Sequence, residues 1–315
     1  MNNLKLAVRG VTRNKRRTLL AAGSIAVALM TMIVLNAFMD GATKQTEEKV
    51  IENTGHVQLY APGYYDESRT LPTDIAVGDL GRTLAEIRGM DGVVEATARI
   101  QFGGLAMTPE RELTGLFIAL EPEEADRIHG YADKVVGGRY LTDSDTDGCL
   151  VGYHFAELLG VGVGDRLTFV TQTSYGALTA GDLVVVGLVA TLNPAVDEAG
   201  VLLRLADAQR RLELENAATA VVVTGEDADK SDELKQRLLA MLNAGVELQE
   251  EPSRTVVEET RGEVPLFAEA APTGGFEEPV EKLSAPTREG FEGFTWFELN
   301  HLIFDIMNQK AQMQD

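Results

Sequence analysis

Hydrophobic side chains follow three different rhythms along this chain. From Thr18 to Met39 no side chain is charged. The run Leu19–Met39 would form a helix of about 31 Å at about 1.5 Å per residue, enough to cross the hydrocarbon core of a bilayer. Before it, Leu4, Ala7, Val8 and Val11 recur at helical spacing with Lys5, Arg9 and Arg13 between them. That spacing predicts a short basic amphipathic helix over residues 3–13, lying on a membrane surface. After it, stretches of period two alternate with stretches of period 3.6.

The period-two stretches predict strands at His56–Tyr60, Val93–Ile100, Glu112–Ala119, Cys149–Gly152, Arg166–Thr171, Leu183–Ala190, Gly200–Arg204, Ala218–Val223 and Val246–Glu250. Helices are predicted at Gly41–Asn53, Asp79–Arg88, Tyr153–Leu159 and Ser231–Asn243, with Leu80, Leu84 and Ile87 forming one stripe. A last helical pattern, Trp296, Leu299, Ile303, Ile306 and Met307, occupies residues 295–315. The order predicts an α+β protein: one N-terminal transmembrane helix, then a discontinuous β-α-β extracytoplasmic domain with an inserted β-rich subdomain. The expected divisions are 1–17 (cytoplasmic amphipathic basic helix), 18–39 (membrane helix), 40–103 with 206–257 (outer α+β domain) and 104–205 (β-rich insert). Residues 258–294, with Pro265, Pro272, Pro279 and Pro286 among many Gly and Glu, predict an irregular arm.

Charge orients the membrane helix. Six cations, Lys5, Arg9, Arg13, Lys15, Arg16 and Arg17, precede the apolar run, and the first acidic residue is Asp40. The asymmetry places the N-terminus in the cytoplasm and residues 40–315 outside. A cleaved signal peptide would have a shorter apolar core and an A-x-A-like site. Leu35-Asn36-Ala37-Phe38-Met39 puts Phe and Met where small residues would stand, so a retained anchor is expected. Ala22 and Ala26, one turn apart, would let a second helix approach closely.

The whole chain has 28 Lys and Arg against 49 Asp and Glu. With six cations inside, the outer part carries 22 basic against 49 acidic residues, a net charge of −27. Such a surface excludes nucleic acid as a partner and is repelled by anionic headgroups. Cys149 is the lone cysteine, so no internal disulfide and no Cys-based zinc site can form.

Motifs for catalysis are missing from the sequence. No G-x-x-x-x-G-K-[ST] occurs, so this polypeptide is not itself a P-loop ATPase. Gly160-Val-Gly-Val-Gly164 follows a helix and precedes a strand, the reverse of a dinucleotide loop, and reads as a helix stop with a tight turn. His56, His129, His154 and His301 lack metal-ligand spacing. No G-x-S-x-G is present, and no cofactor is expected. Asp143, Asp145 and Asp147 followed by Gly148 open like a calcium loop, but its twelfth position is His154 rather than Glu. A weak calcium candidate and a solvated acidic turn therefore both stand for this segment.

Several segments together resemble the permease subunits of ABC transporters in the lipoprotein-releasing and macrolide-exporter superfamily. They are Leu4-Lys-Leu-Ala-Val-Arg9 with Arg13–Leu20, Thr54–Tyr60 with Gly63-Tyr64, Leu150–Gly152 with Gly164–Thr168, Val186-Gly187 with Asn193-Pro194, and Trp296–Leu299. The resemblance implies a cytoplasmic ATP-binding subunit, a second permease subunit in a homo- or heterodimer, and a lipoprotein or other amphiphile as substrate. It also implies that a loop between two strands of the insert recruits a soluble extracytoplasmic carrier. Its counterpart here is Gln172–Gly181, with Tyr175 and Leu178 as exposed anchors. Such permeases carry three more membrane helices, and the second would begin where this sequence ends. The alternative from another class is a single-pass, membrane-anchored binding or scaffolding protein without ATPase coupling.

Overall fold

The structure is a computed structural model that describes residues 15–65, 71–191, 193–244, 290–296, 298 and 299. The predicted helix at 3–13 and strand Val246–Glu250, most of the arm at 258–294 and the remainder of the final helix lie outside the described residues. Two compact units are present, one up to Ile51 and one from Glu52 onward.

Helix α1, Lys15–Thr54, is 40 residues long, and its part Lys15–Met39 is long and apolar enough to cross a membrane. From Leu19 to Met39 its large apolar side chains are exposed, as suits a helix facing hydrocarbon rather than water. The outer unit then follows with β1 (Val57–Tyr60), α2 (Leu80–Arg88), β2 (Val93–Met107), β3 (Glu112–Leu120) and α3 (Pro122–His129). A single 3-10 turn, Ala132–Lys134, leads into β4 (Val135–Gly138), β5 (Gly148–Gly152), α4 (Tyr153–Leu159), β6 (Arg166–Gln172) and β7 (Leu178–Val189). Next come α5 (Pro194–Ala199), β8 (Gly200–Arg204), α6 (Leu205–Leu212), β9 (Ala220–Gly225), α7 (Ser231–Leu242) and β10 (Glu292–Thr295).

Strand pairing closes a ring. β2 pairs with β3, β3 with β8, β8 with β5, β5 with β7, β7 with β6, and β6 returns to β2. The resulting six-stranded barrel has no open edge along that circuit. Its interior is filled by Phe102, Phe117 and Phe169, whose ring centroids lie 5.1, 5.2 and 6.1 Å apart, with Cys149, Val151, Leu167, Leu183 and Val201 around them. Outside the barrel, Ile118, Leu120, Leu150 and Leu202 form a second apolar cluster with Ala125 of α3 and Val196 of α5.

The first half of β2 leaves the barrel and joins an arm in the order β10-β1-β9-β2. One face of the arm presents Leu59, Ala96, Ala98, Ile100, Val221 and Val223, covered by Leu80 and Ile87 of α2 and Leu234 and Leu238 of α7. Because side chains alternate along a strand, the even positions of β2 carry this core straight on into Phe102 and Ala106 inside the barrel. The opposite face bears Gln58, Glu95, Thr97 and Arg99, polar residues that α3 and the end of α1 shelter.

Helix α1 stops at Gly55, which adopts φ 70°, a left-handed conformation natural to glycine past a helix end. A Cβ there would also run into Val222 and the Val223 carbonyl of β9. The chain returns to this point at its other end. Thr295 of β10 lies opposite Val57, and the Trp296 amide donates to the His56 carbonyl at 3.0 Å.

Several elements differ from the sequence expectation. The strand predicted to stop at Ile100 continues to Met107, since β3 pairs with it through Gly103 and Gly104 and β6 joins its other edge from Leu105. The one predicted from Leu183 begins at Leu178, where hairpin pairing with Gln172 outweighs the weak alternation of Thr179–Gly181. Glu292–Thr295, expected at the end of an irregular arm, is an edge strand. Helices α3, α5 and α6 and strand β4 were not foreseen. α3 and α5 both begin with proline at the first turn, where its missing N–H costs nothing.

Phe117 stands between the other two barrel rings. Replacing Phe117 by Ala should lower the unfolding free energy by about 3–5 kcal/mol, read from denaturant melts of the outer unit. A loss under about 1 kcal/mol would mean that the ring cluster does not hold the barrel shut.

Candidate functional site

The β6–β7 hairpin carries the residues singled out as partner anchors. Its connection is Thr173–Ala177, shorter than the predicted Gln172–Gly181. The Thr173 amide donates to the Ala177 carbonyl at 2.7 Å, and Gly176 turns the chain with φ 77°. The tip is not loose. Ser174, itself buried, donates its amide to the Leu212 carbonyl at 2.9 Å and its hydroxyl to the Glu213 carbonyl at 3.3 Å, which pins the turn to the end of α6.

This fixed tip presents apolar surface. Tyr175 is 41% exposed at the turn and Leu178, the first residue of β7 rather than a loop residue, is 77% exposed. Both line an open groove of about 930 Å³ with Leu71, Pro72, Leu105 and Val170. The groove occurs where β2 leaves β9 after Arg99 and meets β6 only from Leu105, so one edge of Phe102–Gly104 has no strand beside it. Thr171 partly fills the gap by donating its hydroxyl to the Gly103 carbonyl at 2.7 Å. Among the described residues Asp74 is the sole charged side chain on the lining. The groove is equipped for binding by shape and apolar contact, with no nucleophile and base facing one another in it.

The acidic turn has a different character. Asp145 accepts from both Arg139 guanidinium nitrogens, at 2.6 and 2.5 Å, and from the Thr142 amide at 2.8 Å. These donors, Arg139 foremost, hold its carboxyl well below the usual carboxylate range. Asp147 accepts from Arg210 at 3.0 Å and Arg211 at 2.6 Å. Asp143 offers its main-chain carbonyl to Arg204. Beneath them Asp207, fully buried, takes Arg204 at 2.9 Å, Arg210 at 2.9 Å and the Asp147 amide at 3.1 Å. Of the three residues that sequence spacing would aim at one calcium, Asp145 and Asp147 have their carboxylates drawn to different guanidinium groups, and Asp143 engages an arginine through its main-chain carbonyl. Among the described residues no three His, Cys, Asp or Glu side chains converge on a point where one metal ion could sit. Arg139 is near in sequence, but Arg204, Arg210 and Arg211, some sixty residues away, were the part that spacing could not reveal.

The remaining candidates are scattered. Ala22 and Ala26 are exposed on α1, one turn apart. Cys149 lies inside the barrel, where burial pushes its thiol up to about 12. His154 is exposed beside Glu157 at 3.5 Å. His56 and His129 are buried, and burial lowers both below the ordinary imidazole value, His129 to about 4. These two were set aside in the sequence for lack of ligand spacing. Their value to the structure is as neutral hydrogen-bonding groups, for His56 accepts the Gly225 amide at Nδ1, 2.7 Å away.

Comparison with known proteins gives the geometry a context. The family described as MacB-like periplasmic core domain matches residues 18–241. Among curated proteins no match is found. Solved structures that are similar include the extracellular domain of the noncanonic ABC-type transporter YknZ from Gram-positive bacteria, at 17% identity and TM-score 0.44 over 60% of this chain and 92% of that one. The periplasmic region of MacB from Actinobacillus actinomycetemcomitans matches at 12% identity and TM-score 0.47, covering 80% of this chain and 95% of that one. A domain of a permease protein from Porphyromonas gingivalis matches at 16% identity and TM-score 0.37, covering 60% and 82%.

The acidic turn should behave as a clamp rather than a cation site. Arg204→Ala, which strips the buried Asp207 of its best-aligned partner, should cost about 3 kcal/mol of stability. Adding millimolar calcium to the wild-type protein should leave its melting temperature where it was, and a calcium-dependent rise would show instead that the carboxylates leave their arginines for a metal.

Proposed function

We propose that this chain, which belongs to the family of MacB-like periplasmic core domains, works as a permease subunit of an ABC transporter. The family match carries the reading, because it takes in the apolar run of α1 as well as the outer unit up to residue 241. In this reading α1 is a membrane helix with its six-cation flank in the cytoplasm of a bacterial cell and Asp40 onward outside. The substrate is a lipoprotein or another amphiphile, taken from the membrane on the extracytoplasmic side. A separate cytoplasmic subunit binds and hydrolyses ATP, and a second permease subunit, the same or related, completes the pair. Residues 104–205 are the inserted β-rich part of the outer domain formed by 40–103 and 206–257.

The path of the chain supports a second membrane span. β10 delivers Thr295 beside the first residues after α1, and there a helix begins with a reciprocal cap. The Thr295 amide donates to the Glu298 carboxylate at 2.9 Å, and the Glu298 amide to the Thr295 hydroxyl at 3.3 Å. Lys235 of α7 braces the same carboxylate at 2.6 Å. A domain anchored by two neighbouring helices places both its chain ends in this way.

The hairpin groove is the surface for an extracytoplasmic carrier, with Tyr175 and Leu178 as the anchors. Both are large, exposed and held on a turn whose backbone is already fixed, so little ordering is needed on binding.

The full gene product, coexpressed with the ATP-binding protein encoded beside it, should purify from membranes as one complex that hydrolyses ATP. A chain that purifies without any ATPase, whatever its neighbour, would favour the anchored scaffold. Within the complex, the double variant Tyr175→Ala, Leu178→Ala should keep ATPase activity and its melting temperature while losing at least tenfold in affinity for the carrier, since both side chains are exposed in the free protein. Unchanged carrier affinity would remove the hairpin from the recruitment role.

A further inference from the structure

The outer unit has two sharply different sheet faces, and the polar one lies under the last turn of α1. That turn, Glu52–Thr54, belongs to the outer unit and leaves its final carbonyls without helical partners. Side chains from two other elements take the Glu52 and Thr54 carbonyls, and a third braces the Glu52 carboxylate. The ring of His129, at the end of α3, bonds through Nδ1 to the Glu52 carbonyl. Gln58 donates Nε2 to the Thr54 carbonyl at 2.7 Å, while its Oε1 accepts from Arg99 at 2.9 Å and from the Tyr60 hydroxyl. Lys134 reaches the Glu52 carboxylate and also the His129 carbonyl, the latter at 2.7 Å.

The seat beneath is oversupplied with polar atoms. Four buried side-chain nitrogen or oxygen atoms make no hydrogen bond among the described residues, and three of them, Thr97 Oγ1, Arg99 Nε and Thr224 Oγ1, belong to this face of β2 and β9. Thr97 stands opposite Val222, against which Gly55 packs. Arg99 is only 9% exposed and has no carboxylate within salt-bridge distance among the described residues. An apolar seat would hold the helix end by shape alone and would resist any other arrangement. A seat with spare donors can exchange one set of hydrogen bonds for another at small cost, and buried orphan groups call for such an explanation.

We infer that His129 is a proton-operated latch on the last turn of α1: as the neutral imidazole it donates Nδ1–H to the Glu52 carbonyl and holds the turn on the polar seat, and protonation, which leaves that donor in place but puts a buried charge beside Arg99 and Lys134, frees the turn. The groups that face the ring are Glu52 on α1, Arg99 on β2, Lys134 on the 3-10 turn and Tyr131, whose ring lies 5.1 Å away. Arg99 and Lys134 are both cationic, so an imidazolium between them gains no counter-charge except from Glu52, which Lys134 already engages. Burial is the largest cause of the lowered His129 value, and the two cations add to it. The sign follows. A histidine that is harder to protonate when latched holds fully above its ordinary value of 6.5 and loosens as pH falls towards about 4. The inference stands on the geometry of the outer unit alone and does not require the transporter reading.

Amide hydrogen exchange on the full chain in detergent, corrected for intrinsic rates, tests it. Between pH 7.5 and 5.0 the opening of residues 51–55 should increase about 25-fold, from proton linkage between values of about 4 and 6.5. Peptides from α7 should keep their protection over the same range. His129→Gln, whose amide can still donate to the Glu52 carbonyl but does not titrate, should flatten the pH dependence without raising exchange at pH 7.5. Lys134→Met keeps the imidazole and removes one of the repelling cations, so its transition should move to higher pH. It carries the test if His129→Gln fails to fold. An equal fall in protection of α7 would make the effect global unfolding and overturn the latch. So would a pH profile that neither variant alters.

Discussion

Strict alternation along β2 is the constraint from which the rest of this structure follows. Its even positions, from Ala96 through Ala98, Ile100 and Phe102 to Ala106, all enter one apolar core, first under α2 and α7 and then inside the barrel. Its odd positions, Glu95, Thr97 and Arg99, are thereby committed to the other face. A slip of one residue would bury Glu95 and Arg99 in the apolar core and expose Ile100 and Phe102. The strand is shared by two sheets' worth of partners: β9 on its first half, β6 on its last three positions, and β3 along the other edge. Barrel closure and arm register therefore cannot vary independently.

The change of partner on β2 has two consequences for function. Where β9 has ended and β6 has not begun, the sheet leaves a gap, and the hairpin of β6 and β7 rises beside it to form the groove. On the arm side, the polar face must be covered by something able to bond with it. α3 does so through the Arg127–Glu95 ion pair at 2.5 Å, and the last turn of α1 through carbonyls that accept from His129 and Gln58. A helix end has free acceptors to offer where a helix flank does not. The buried donors Gln58 and His129 are thus complementary to the terminus of a helix in particular, and Arg99 joins them by donating to the Gln58 side-chain oxygen at 2.9 Å.

Much of the strand order was legible because buried strands declare themselves by β-branched and aromatic runs. Leu150-Val151, Val201–Leu203 and Val221–Val223 were placed to within two residues. What escaped were elements whose signals are caps rather than periods. α3 has Pro122 first, two glutamates in its opening turn, His129 in its last and the left-handed Gly130 after it, all within eight helical residues. So short a helix shows barely two turns of pattern, and its capping residues were the better guide. Closure of the barrel could not be read at all, since it depends on β6 meeting β2 across some sixty residues. The acidic turn was misleading for the same reason. Its spacing resembled a cation loop, and the arginines that claim Asp145 and Asp147 come from the position just after β4, a strand too short to predict, and from α6.

Exposed and buried charge divide the labour in this protein. Most acidic side chains of the outer unit face water among the described residues, and there screening makes each charge cheap. The few buried charges are instead cations or clamped acids at junctions: Arg204 and Asp207 where α6 meets the acidic turn, Arg99 where α1 meets the arm. Asp207 is surrounded by partners and so fixes its junction. Arg99, bonded to an amide rather than to a carboxylate and with Nε left over, does not fix its own to the same degree. The firm junction is the one near the barrel, which carries the groove. The yielding one is at the foot of the helix that leads to the membrane, the place where movement would have to enter the outer unit.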